Sequence, residues 1–187
     1  MDNGLYIMSI PLPPGVNNYK KYRVIYQGGR NVALPYLTKE TLDFKEYMKV
    51  ACKRFQLERN WKKPSKDKYI LMELIFYMNK HGRDADNHIK LIQDSLQENG
   101  IVDNDSKIIP QVKRLYVDKN DPRVIIKLTI LPWVGVFKNE TDRHEFIEKN
   151  CVECKRFKRN CSILKTLDEN KIVEEVNLSE KICKNKK

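Results

Sequence analysis

Residues 69–78 constrain the architecture of this chain more than any other stretch. Apart from Glu73 they are all apolar or aromatic, and they number about half of the roughly 20 residues a bilayer span requires. A run of that length and composition predicts a β-strand covered on both faces, which commits the chain to layers packed about a central sheet. The flanking sequence supplies those layers. Residues 5–10 predict a strand stopped by Pro11-Leu12-Pro13-Pro14-Gly15, because proline cannot extend a ladder. Residues 24–26 and 31–37 flank Gln27-Gly28-Gly29-Arg30 as a hairpin. Thr38 or Thr41 can cap a helix carrying Leu42, Phe44, Tyr47, Met48, Ala51, Cys52 and Phe55 at three-to-four spacing. Residues 87–99 predict a second helix with Ile89, Ile92 and Leu96 inward and Gly100 just past its end. Residues 108–117 and 124–131 predict a hairpin around Asp118-Lys119-Asn120-Asp121-Pro122. The expected fold is α+β (α/β-like), a mixed β-sheet with two main helices over residues 1–135. A small Cys-rich C-terminal module follows over residues 138–187.

The formal charge of +11 points to an anionic partner, and nucleic acid is the commonest. The distribution of charge says more. Residues 1–83 carry 16 basic and 7 acidic side chains, whereas residues 84–105 carry Asp84, Asp86, Asp94, Glu98, Asp103 and Asp105 against Lys90 alone. A knot of carboxylates in a body built for phosphate is unfavourable unless a cation stands between them, and a divalent metal is the usual solution.

Asp84 and Asp86 are two apart at the expected strand-to-helix junction, where an extended chain projects both to one side. Lys90 follows Asp86 by one helical turn, the helix N-terminus adds partial positive charge, and Asp105 arrives from the loop after the helix. Carboxylate oxygens suit Mg²⁺, which polarises a phosphodiester and generates hydroxide near neutral pH, while a lysine stabilises developing charge. Singly, each aspartate has a plainer reading: Asp84 or Asp86 caps a helix, and Asp103 or Asp105 makes a turn. The set with its lysine favours the metal site. Tyr19, Lys20, Lys21 and Arg23, with Arg30, Lys62 and Lys63, are candidates for binding DNA phosphates. Tyr19 and Tyr22 either stack on bases or pack on the hairpin.

The pattern Asp-x-Asp-Asn-x-x-Lys-x-x-x-Asp-x-Leu stands here as Asp84, Asp86, Asn87, Lys90, Asp94 and Leu96, with Asp105 at the end of the acidic loop. It resembles the RusA-type Holliday junction resolvases, a family common in prophages. The opening is similar as well: a strand, Pro11-Leu12-Pro13-Pro14, then Asn18, Tyr19 and a basic stretch. The resemblance covers roughly residues 5–131. It implies a homodimeric, Mg²⁺-dependent endonuclease, with Mn²⁺ able to substitute, that cuts four-way DNA junctions by paired nicks. On the family pattern Asp84, Asp86 and Asp105 are metal-binding catalytic carboxylates and Lys90 is a catalytic lysine. Family members often carry Asp-Asp where this chain has Asn104-Asp105, so Asp103 is the alternative third carboxylate. Asp94 is expected to be a structural partner of Lys90, and His81 and His88 to be exposed or structural rather than ligands.

Of five cysteines, Cys52 sits in a helical pattern as a small apolar group, and Cys151, Cys154, Cys161 and Cys183 fall in the last 37 residues. The CxxC pair closes a small chelate ring, so the four are expected to hold a structural zinc. His144 in place of Cys183, an iron–sulfur cluster and an unmetallated reduced tail are the alternatives. Lys155, Arg156, Lys158 and Arg159 around the ligands lean towards DNA.

These readings converge on a Mg²⁺-dependent, structure-selective endodeoxyribonuclease acting on branched DNA through metal-activated water, as a homodimer, with no membrane span and no small-molecule substrate. It is expected to be cytoplasmic, bacterial or phage-encoded. The alternatives are a non-catalytic zinc-containing DNA-binding phage protein, or a metal-dependent nuclease on another branched DNA or RNA.

Overall fold

The computed structural model describes residues 6–66, 68–132 and 134–186, the side chain of Tyr6 apart; Leu5, the expected first residue of the opening strand, lies outside them. The chain divides into two compact units, Met1–Ile130 and Leu131–Lys187. In the first, β1 (Tyr6–Pro11) and a short helix α1 (Val16–Tyr19) lead into β2 (Lys20–Gln27) and β3 (Arg30–Leu37). Helix α2 (Lys39–Glu58), β4 (Ile70–Met78) and helix α3 (Asp86–Glu98) follow, then a 3₁₀ turn (Asp105–Lys107), β5 (Ile108–Val117) and β6 (Arg123–Ile130). The result is α+β, with a mixed four-stranded sheet in the order β1-β6-β4-β5.

The central strand is β4, parallel to β5 and antiparallel to β6. Its even-numbered side chains, Ile70, Met72, Leu74, Phe76 and Met78, are buried with Ile10, Val124, Ile126 and Leu128 of β1 and β6. Phe44, Met48, Cys52 and Phe55 of α2 and Leu91, Ile92 and Leu96 of α3 complete this core. Burial pushes the Cys52 thiol up to about 12, consistent with an inert apolar filler. Among the described residues of this unit, full burial is confined to one face of β4, against the expected cover on both. Leu71, Glu73, Ile75 and Tyr77 on the opposite face are only half-buried, and Glu73 is held between Lys127 (2.9 Å) and Lys113 (3.0 Å). Those two ammonium groups keep its carboxyl below the usual range.

The hairpin expected from residues 108–117 and 124–131 is also corrected. The turn exists, with Asp118 accepting the backbone N–H groups of Asn120 and Asp121, but β5 and β6 lie on opposite sides of β4. The Asp118 N–H donates to Met78 O at the end of β4 (2.8 Å), so the loop crosses over that strand. Two strand spacings are about 10 Å, well within reach of five residues. One strand boundary and one helix face also differ from expectation. Residues 20–23, which precede the expected hairpin strand 24–26, belong to β2, giving an eight-residue ribbon with β3 that turns at Gly28 (φ 59°) and Gly29 (φ 78°). In α2, capped by Thr38, it is Thr41 that is buried, while Leu42 and Tyr47 are 52% and 45% exposed.

The second unit contains α4 (Glu140–Asn150), a 3₁₀ turn (Phe157–Arg159), α5 (Ser162–Asp168) and a short hairpin of β7 (Val176–Asn177) and β8 (Ile182–Cys183). Phe137, Phe146, Leu164, Leu167 and Val176 form its core, and Arg143 pairs bidentately with Asp168 (2.7 and 2.9 Å). Gly135 permits the entry into this unit: it has φ +57°, and an added Cβ would stand 2.3 Å from Leu167 O and 2.6 Å from Asp168 Cα. Gly135→Ala is therefore expected to cost about 2–4 kcal/mol through left-handed strain plus backbone overlap. Thermal unfolding with limited proteolysis should show the loss confined to the second unit; an unchanged transition would refute it.

Candidate active site

The loop after β4 delivers Asp84 and Asp86 to the start of α3. The residue in the N-cap position is Ala85, whose backbone is already helical, so neither aspartate caps the helix from that position. Asp86 takes the first helical place and its Oδ1 accepts the Asn87 N–H (2.9 Å). Both carboxylates are exposed and, among the described residues, neither has an ion-pair partner. A cleft beside them is lined by Asn17, Asn18, Lys80, Arg83, Asp84 and Asn87. In the sequence, only their place in the loop just before Asp84 marks Lys80 and Arg83.

Lys90 organises the rest. Its ammonium donates to Asp105 Oδ2 (2.5 Å) and pairs with Asp94 Oδ1 (2.7 Å), so it connects α3 to the 3₁₀ turn after the acidic loop. Those bonds, first Asp105 and then Asp94, raise the pKa of Lys90 above its ordinary value. Reciprocally, Lys90 holds the Asp105 carboxyl below the usual carboxylate range. The 3₁₀ turn is itself placed by Asn104, whose side chain accepts the Ser106 N–H, and by Gln97 of α3, which accepts the Asp105 N–H (2.8 Å). Asp94 is fixed from its other side by the Tyr19 hydroxyl (3.2 Å). A chain of polar contacts thus runs Tyr19–Asp94–Lys90–Asp105.

These contacts separate the two candidate third carboxylates. Asp105 stands on Lys90, whereas Asp103 faces Lys63 (3.1 Å). They also place the histidines. His88 is 2% exposed, its Nδ1–H donates to Pro13 O (2.6 Å), and burial lowers its pKa, so it pins the proline turn to α3. His81 is exposed. Among the described residues, no three Asp, Glu, His or Cys side chains already stand where one ion could be held. Asp84, Asp86 and Asp105 carry the oxygen donors that Mg²⁺ takes; the first two are open to solvent, and the third is engaged by Lys90.

The basic candidates divide. Lys20, Lys21, Arg23 and Arg30 are exposed on the β2–β3 ribbon, and Lys62 is exposed on the loop before β4. Lys63 is spent on Asp103. Tyr19 packs against the core with its hydroxyl on Asp94, which does not suit base stacking; Tyr22 and Tyr26, 70% and 76% exposed, stand out from the ribbon instead.

No curated protein matches the chain. The family model for Endodeoxyribonuclease RusA matches residues 11–129, well over half of the chain and the span from the proline turn to the end of β6. The carboxylate–lysine site between β4 and β5 and the ribbon before it both lie within that match, and the chain belongs to the RusA endodeoxyribonuclease family.

Proposed function

We propose that the chain is a Mg²⁺-dependent, structure-selective endonuclease that resolves four-way (Holliday) DNA junctions by paired nicks. The observation that carries this reading is Lys90 joined to Asp105 and Asp94 one helical turn from Asp86, inside the family match. Asp84, Asp86 and Asp105 would hold the ion, with Mn²⁺ able to replace Mg²⁺. When bound, the ion supplies a Lewis acid for the phosphodiester and lowers the pKa of water. Lys90 has three N–H donors and spends two on Asp94 and Asp105, leaving one for a phosphate oxygen or the attacking water. Asp94, anchored by Tyr19, would keep the ammonium in place with Asp105 among the residues that hold the ion. Lys80 and Arg83 in the adjoining cleft would hold the flanking phosphate.

A homodimer would set two such sites on opposing strands of a junction. The open edge at β5, which exposes Val112, Leu115, Tyr116 and Val117, offers a second copy an apolar surface. The reading puts the enzyme on DNA in the bacterial cytoplasm; no helix among the described residues is long and apolar enough to cross a membrane. The test is strand cleavage of a synthetic four-way junction beside a duplex, a flap and a branched RNA, with Mg²⁺ or chelator. Symmetric metal-dependent nicks near the branch point of the junction are expected. Equal cutting of the flap or the RNA would move the substrate class. Binding with no cut in either Mg²⁺ or Mn²⁺ would replace the enzyme with a DNA-binding protein.

A further inference from the structure

The second unit has 57 residues (131–187), and among its described residues the largest buried side chains are two phenylalanines and two leucines. A unit so small ordinarily needs a covalent or metal staple. Its four cysteines are all present as thiols, two of them buried and two half-buried. They come from three separate pieces of local structure. Cys151 ends α4, and the Cys154 N–H donates back to Cys151 O (2.9 Å), so the CxxC pair turns around itself. Cys161 immediately precedes α5. Cys183 lies on β8, opposite Val176, and its N–H donates to Asn150 Oδ1 (2.9 Å). Asn150, 5% exposed, also donates to Lys181 O (3.0 Å), which ties the end of α4 to the β7–β8 hairpin and brings Cys183 to the CxxC turn.

The convergence is onto Cys151. Burial first, and then the neighbouring Cys161, Cys183 and Cys154, push the Cys151 thiol up to about 11, and Cys151, Cys161 and Cys183 share one apolar cluster. His144, the other donor considered for the fourth place, is turned away: its ring is 72% exposed and pairs with Glu148.

We propose that Cys151, Cys154, Cys161 and Cys183 bind one structural Zn²⁺ per chain, as four thiolates in a tetrahedral site that staples the second unit. Four sulfur donors with no carboxylate or water ligand match a closed structural zinc site rather than a catalytic one. Among the described residues no three such donors already stand where one ion could be held, so the ion would draw the four thiolates together, and its binding energy would become folding energy of this unit. Closure also fixes the loop between Cys154 and Cys161, where Lys155, Lys158 and Arg159 are exposed. This inference rests on the second unit alone and is independent of the nuclease reading.

The full chain, purified without chelator or affinity metal, is expected to contain one zinc per chain by plasma mass spectrometry. Replacing zinc with Co²⁺ should give intense thiolate-to-cobalt charge transfer and the visible bands of a tetrahedral site. Cys151→Ser and Cys183→Ser should each lose the metal, while Cys52→Ser, outside the cluster, keeps it. The cobalt spectrum of the unaltered chain holds the test open if the serine variants fail to fold. Four thiols that react freely in the native, metal-free chain, a disulfide between any two of them, or bound iron with sulfide would each overturn the zinc assignment.

Discussion

Asp86→Asn is expected to lower junction cleavage by on the order of 10³-fold or more, about 4 kcal/mol in the barrier, while junction affinity changes by less than about twofold. The substitution keeps the size of the side chain and the oxygen that accepts the Asn87 N–H, so the first turn of α3 survives. It removes only the negative charge, from an exposed side chain that supports no ion pair among the described residues. The cost therefore falls on whatever the carboxylate binds during the reaction, and a divalent cation feels that loss far more than a phosphate would. If anything, losing an anion beside Lys80 and Arg83 favours DNA binding. Single-turnover cleavage measured with gel-shift affinity separates the outcomes: cleavage within tenfold of the unaltered chain removes Asp86 from the site, and a parallel loss of binding makes it structural. Lys90→Ala should behave differently, because it also releases Asp105 and leaves Asp94 with Tyr19 alone.

The parts of this site that are legible in the sequence are those set by local spacing. Asp84, Asp86 and Lys90 lie within seven residues, and a helix begun at Asp86 places Lys90 one turn on wherever the sheet sits. The end of that helix is equally legible: Gly100 has φ +71° and lets the Ile101 N–H return to Leu96 O (2.9 Å). Pairing across distance is what escapes. Turn chemistry at Asp118–Pro122 reports that the chain reverses, not which strand lies beside it. Residues 70–78 carry the longest apolar run and take the middle of the sheet, with the more exposed β5 at its edge. The choice between Asp103 and Asp105 is of the same kind, since it rests on Lys63 and Lys90, 40 and 15 residues away from their partners. Tyr19 shows the converse: next to lysines in sequence it reads as a DNA contact, and 75 residues on, Asp94 claims its hydroxyl.

Replacing Lys21, Arg23 and Arg30 together by alanine is expected to weaken junction binding by about 10²-fold near 0.1 M salt and to flatten the log–log salt dependence by roughly 2–3. The register explains why these three belong together. Lys21 pairs with Tyr36, Arg23 with Leu34 and Gln27 with Arg30, so alternation puts all three cations on one face of the β2–β3 ribbon, and Tyr22, Val24 and Tyr26 on the other. All three are exposed and, among the described residues, face no carboxylate, so their charge is available to phosphates and their removal costs the fold little. Each phosphate that no longer meets a protein cation keeps about one counterion on the DNA, which is where the change in slope arises. Tyr22→Ala with Tyr26→Ala strips the opposite face without touching charge. It should leave the salt slope unchanged, and it lowers affinity only if bases are unstacked against the ribbon, at about 1–3 kcal/mol per base. A triple variant with an unaltered slope would take the ribbon off the DNA altogether. The exposed apolar face would then mark the ribbon as an arm that reaches a second copy, and the dimer would dissociate in the tyrosine variant rather than in the cationic one.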